Sequence, residues 1–182
     1  MQSAILRDTN YLIARVTRIA GIIVRSASVR NAFELYAPFL EMCKSLVGND
    51  AHLILSSEWE YVPFTYPQSL EDLPSFIVIG LPASESDNVL IFPAAGHELG
   101  HSVWSKNSLG GEFKGRIESA VSDILLANRS DFEIVFPEVK GTDFDQDLFV
   151  QHKKSAVFLS AIKQAEETFC DFFGANTNTH ID

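Results

Sequence analysis

Apolar residues near the amino terminus recur mostly at intervals of three and four: Ile5, Leu12, Val16, Ile19, Ile23 and Ala27, flanked by Leu6, Ile13 and Val24. That spacing predicts a helix with one apolar face. A second run, Phe33, Tyr36, Phe39, Leu40, Cys43, Leu46 and Val47, keeps the same period and reaches Gly48-Asn49, a common helix stop. The two are expected to form an antiparallel helical pair over residues 1–48, their apolar faces used for core or partner packing. The pattern then changes. Leu53-Ile-Leu, Phe76-Ile-Val-Ile and Val89-Leu-Ile-Phe are short β-rich runs separated by Pro, Ser, Asp and Asn, and they predict three strands of a small sheet. The stretch from Gly48 to Pro74 serves as a cover loop or a connector. Pro93 closes the third strand and suits a first helical turn, so a helix is expected to open at about Ala94. Helices follow from Ile117 to Leu126 and from about Leu148 to Phe173. Pro137, Gly141 and the acids Asp143, Asp145 and Asp147 mark the loop between them.

These elements predict one α+β domain spanning residues 1–182, mostly helical, with a catalytic core over residues 50–175. The polar end, residues 176–182, is expected to fray. A chain of 182 residues that is 46% apolar has material for one substantial core. The formal charge of −10 and the pI near 4.9 argue against a nucleic-acid partner or an anionic membrane surface, which would repel most of the exterior. Arg7, Asp8, Arg15, Arg18 and Arg25 interrupt the apolar amino terminus, so no stretch approaches the roughly 18 to 20 residues a membrane span needs. Two cysteines, Cys43 and Cys170, do not make a disulfide framework, and a reducing, cytoplasmic setting is the expectation.

The candidate chemistry lies in Ala94-Ala-Gly-His-Glu-Leu-Gly-His-Ser-Val-Trp. On a helix His97 and His101 fall on one face, a turn apart, where both imidazoles can meet one metal ion. Glu98 lies beside that face, placed to take a proton from a water activated by the metal without itself being a ligand. Zinc with an open position for water needs a third protein ligand. The three-histidine arrangement of metzincins is excluded, because Trp104 and Asn107 stand where its glycine and third histidine belong. An aspartate from Gly141-Thr-Asp-Phe-Asp is an alternative, although Phe144 occupies the position the ligand should take. The stronger candidate is Glu166-Glu-Thr-Phe-Cys-Asp-Phe-Phe-Gly, where Glu167 and Asp171 share a helix face and the flanking Phe169, Cys170, Phe172 and Phe173 suggest burial.

Glu-x-x-x-Asp, an apolar pair and Gly, placed downstream of His-Glu-x-x-His, resembles the gluzincin metallopeptidases related to thermolysin. The resemblance implies a zincin-like fold with the sheet packed on the motif helix. It further implies Zn²⁺ held by His97, His101 and Glu167, Asp171 holding the outer nitrogen of His97, Glu98 as general base, and a peptide or protein substrate. It covers the two motif segments and the strand before them. The spacer of 65 residues between His101 and Glu167 is long for the family, and only 11 residues follow Asp171. The expectation is therefore that the oxyanion-stabilising His, Tyr or Arg usually supplied by a following helical half comes from elsewhere, with His152, Tyr61 and Tyr66 as candidates, or that the chain is a shortened version. The chain also resembles, less closely, the small intracellular His-Glu-x-x-His peptidases that cleave repressors in mobile elements. In the expected mechanism the strand Val89–Phe92 forms a sheet edge that pairs with the substrate. The alternative is a shortened or inactive zinc-binding regulatory domain, its metal closed off by a fourth ligand such as His152 or Asp145; a helical scaffold without metal is the third reading.

Overall fold

The computed structural model describes residues 2–28, 33–59, 61–65 and 75–177. Among the described residues six α-helices and three strands follow one another: α1 (Gln2–Ser28), α2 (Phe33–Leu46), β1 (His52–Glu58), β2 (Phe64–Thr65), β3 (Phe76–Pro82), α3 (Phe92–Lys106), α4 (Leu109–Ala127), α5 (Arg129–Val135) and α6 (Leu148–Thr177). The protein is α+β and mostly helical, with a small mixed sheet. Among the described residues no helix is long and apolar enough to cross a membrane. Two compact units are distinguished, one formed by Met1–Val103 with Cys170–Asp182 and the other by Trp104–Phe169.

In the first unit the strand order is β1-β3-β2. β3 pairs in parallel with β1, Leu53 opposite Ile77 and Leu55 opposite Ile79, and antiparallel with β2, Phe64 opposite Gly80. As the central strand β3 is buried on both faces, which is why Phe76-Ile-Val-Ile-Gly-Leu reads as a continuous apolar run without alternation. Gly80 has a packing reason, since the Phe64 ring occupies the space a Cβ would take. α1 and α2 both lie against β1. Ile19 of α1 packs on Val78 beside Ile54 and Phe76, and the Tyr36 hydroxyl of α2 donates to the Leu53 carbonyl at 3.1 Å. Fully buried Phe39 meets Phe92 at the start of α3 with ring centroids 4.5 Å apart. α2 ends as the sequence predicts, with Gly48 at φ +151°, a value that residues bearing a Cβ avoid.

Two expectations are corrected. Val89–Phe92 is no strand: Val89–Ile91 forms a 3₁₀ turn and α3 already begins at Phe92. The Asn88 side chain accepts from the Leu90 backbone N–H at 3.0 Å, a local turn bond that competes with a sheet ladder. Val89 and Leu90 consequently stand exposed, and the substrate-pairing edge assigned to this segment falls away. β2, inside the stretch treated as a connector, is instead a strand, and in the described sheet it lies at the end opposite β1.

In the second unit Phe132, Val139, Phe144 and Val150 form a buried cluster with Leu125, Phe136 and Val157 against it. Its acidic loop is structural. Asp143 accepts from the backbone N–H groups of Asp145 and Gln146, which holds its carboxyl below the usual range, and Asp147 caps the start of α6 through the N–H groups of Phe149 and Val150. Asp145 pairs with Lys154 at 3.3 Å.

Candidate metal centre

α3 is built on the spacing that the site requires. Ala95, Leu99 and Val103 recur every four residues and are buried, anchoring one stripe of the helix in the core. His97 and His101, also four apart, lie on an adjoining stripe and are half-buried, with ring centroids 5.0 Å apart in an edge-to-face arrangement. Glu98 is half-buried beside them.

The segment Cys170–Thr177 of α6 approaches α3 closely, and glycines make the approach feasible. A Cβ on Gly100 would stand 3.0 Å from the Cys170 Cα, and a Cβ on Gly174 would stand 2.5 Å from the Pro93 carbonyl oxygen and 2.9 Å from the His97 nitrogen. Gly174, the last residue of the sequence pattern, is thus the point of backbone contact. This crossing brings Asp171 to His97, with Oδ1 2.9 Å from Nδ1. A carboxylate only accepts, so Nδ1 carries the proton, and in the neutral ring the lone pair then lies on Nε2, the tautomer a metal-binding histidine needs. The structure thus brings Asp171 and His97 together, with the carboxylate on Nδ1 of the ring. If the centre holds zinc, replacing Asp171 by Ala should weaken its binding by about 10–100-fold, the usual cost of removing such a partner; competition titration against a chromophoric chelator measures it, and unchanged affinity would deny the bond this role.

Cys170 joins the histidines. One donor atom from each of His97, His101 and Cys170 lies within 4.8 Å of the others. Sequence reasoning treated Cys170 as part of an apolar flank, and it is indeed fully buried. The signal that could have found it is its position one residue before Asp171 and four before Gly174, on the face that meets α3. The flank is otherwise less buried than expected, since Phe172 is 67% exposed and Asp171 is exposed. Cys43 is a different case: burial pushes its thiol up to about 12, so it stays protonated and unreactive.

Glu167 lies on α6 just before the boundary between the units, in the second of them, and is half-buried. Of the weaker candidates, Tyr61 donates its hydroxyl to Glu85 at 2.8 Å, His152 is exposed in the second unit, and Tyr66 lies outside the described residues.

A cavity of about 380 Å³ opens beside His97. Val62, Pro63, Pro93 and Ala94 give it apolar walls, and His97, Glu98 and Asp171 supply its polar groups. Comparison with protein-family models, curated proteins and solved structures found no match. The chemistry is therefore read from the side chains themselves. Two imidazoles a turn apart, one held in the metal-binding tautomer by a carboxylate, with a thiol beside them, form a donor set that suits zinc.

Proposed function

We propose that the protein is a zinc-dependent metallopeptidase of gluzincin-like, zincin-like character, acting on a peptide or protein substrate in a reducing, cytoplasmic setting. The observation that carries this reading is the Asp171–His97 bond of 2.9 Å, made between two segments more than 70 residues apart that the sequence had paired for this purpose. His97 and His101 would hold the ion, with Glu167 nominated as the third ligand. Helical spacing supports the nomination: positions 167, 170, 171 and 174 share one face of α6, and three of those four residues already meet α3.

Bound zinc supplies Lewis acidity, activating water and polarising the scissile carbonyl. Glu98 takes the proton of the attacking water and passes it to the leaving amine. Its carboxylate borders the cavity, where such a water and carbonyl would sit. Val62 and Pro63, which lead into β2, line the same cavity, so an extended peptide laid along β2 would pass Glu98. The apolar walls favour hydrophobic side chains in that substrate.

The test is metal analysis of purified protein together with hydrolysis of a peptide library. Stoichiometric zinc and chelator-sensitive cleavage are expected. Changing Glu167 to Ala should weaken zinc binding by more than the roughly 10–100-fold of an outer partner, and changing Glu166 to Ala should leave it nearly intact. The reverse ranking moves the ligand, and absence of zinc removes the reading.

A further inference from the structure

We propose that Cys170 is itself a ligand of the bound metal, so that the centre holds a thiolate together with its two imidazoles. The inference rests on reading His97 and His101 as ligands and adds a donor that the sequence did not nominate.

The first support is placement. One donor atom of Cys170 and one of each histidine already lie within 4.8 Å of one another. Zinc bonds of about 2.0–2.3 Å in a tetrahedron set N and S donors roughly 3.3–3.6 Å apart, so shifts of about an ångström complete the geometry. The second support is how the placement is secured. Cys170 is fully buried, and the missing Cβ of Gly100 lets its backbone settle directly on α3 between the two histidines in sequence. A side chain at residue 100 would meet the Cys170 Cα, Cβ and Sγ at 3.0–3.2 Å, so Cys170 would have to give way by a few tenths of an ångström. The third support is the tautomer of the first ligand, since Asp171 accepts from His97 Nδ1–H and the neutral ring then keeps its lone pair on Nε2, the atom that would serve as donor.

When the sulfur–metal bond forms, the Sγ–H bond breaks and its proton leaves to solvent; no electron transfer is involved. A thiolate makes the donor set softer than two imidazoles and a carboxylate, favouring zinc and cobalt over magnesium or calcium. It also sets the openness of the centre. With His97, His101, Cys170 and the nominated Glu167 bound, four protein donors fill a tetrahedral shell, so a catalytic water would require zinc to expand to five-coordinate or the Glu167 carboxylate to yield its place.

The experiment loads the full chain with Co²⁺ and records its near-ultraviolet spectrum. A sulfur-to-cobalt charge-transfer band is expected in the native protein and in Glu167→Ala and Cys43→Ala, and is expected to vanish in Cys170→Ser while cobalt still binds. Cobalt bound with no such band in the native protein overturns the proposal without any variant having to fold. So does a band that survives Cys170→Ser. Undiminished cobalt binding by the His97→Ala/His101→Ala double variant overturns the underlying metal site instead, so the two failures are told apart.

Discussion

For the metallopeptidase proposed above, changing Glu98 to Gln is expected to lower peptide turnover by about 10²–10⁴-fold while zinc content stays at the native level. The magnitude is that of a lost general base and corresponds to about 3–5 kcal/mol of transition-state stabilisation. Gln keeps the size and most of the packing of Glu, so half-buried residue 98 should hold its place on α3 beside the cavity. It cannot take up a proton. The loss should appear in kcat with KM little changed, because the affected interaction is made in the transition state and not with bound substrate. Steady-state kinetics with parallel metal analysis check both halves. A Gln variant that turns over normally would deny Glu98 its role; one that loses its zinc would place residue 98 among the ligands.

That expectation was legible in the sequence because it depends on local geometry. Four-residue spacing on a helix puts His97 and His101 together whatever surrounds them, and the long periodic runs that became α1, α2 and α6 carry their own signal. The short elements were less legible. Val89-Leu-Ile-Phe has strand composition, yet one hydrogen bond from Leu90 N–H to Asn88 diverts it into a turn. β2 is only two residues long and is secured by tertiary contacts. Phe64 fills the space over Gly80, and the Thr65 hydroxyl donates to Val78 while accepting from Ser102 of α3 at 3.2 Å. No periodicity can mark such a strand. α5 was missed for a similar reason, since Phe132 is its single buried residue. At the site, Asp171 was found through a pattern of residues, whereas Cys170 was passed over because a thiol among phenylalanines reads as one more small apolar group. Only the crossing of α3 and the end of α6 distinguishes a packed thiol from one within reach of two imidazoles.

That crossing yields the other large expectation. Glycine inside a helix usually costs about 0.5–1 kcal/mol relative to alanine, so Gly→Ala is stabilising where there is room. Gly115 of α4 has room, with nothing within 4 Å of an added Cβ, and Gly115→Ala should raise stability by about that amount. Gly174→Ala should do the opposite. Its Cβ would meet the Pro93 oxygen at 2.5 Å, the His97 nitrogen at 2.9 Å and the His97 Cα at 3.4 Å, all backbone atoms that cannot rotate aside. Relief requires this end of α6 to withdraw from α3, and overpacking of this kind costs about 1–3 kcal/mol. The same withdrawal would stretch the 2.9 Å bond between Asp171 and His97 and move Cys170 from both histidines, so zinc affinity should fall together with stability. Denaturant unfolding of the metal-free protein separates the packing cost from the loss of bound zinc, which would otherwise add to it. If Gly174→Ala proves as stable as Gly115→Ala and binds zinc as tightly as the native chain, the two helices do not approach as closely as described, and the pairing of Asp171 with His97 would lose its structural basis.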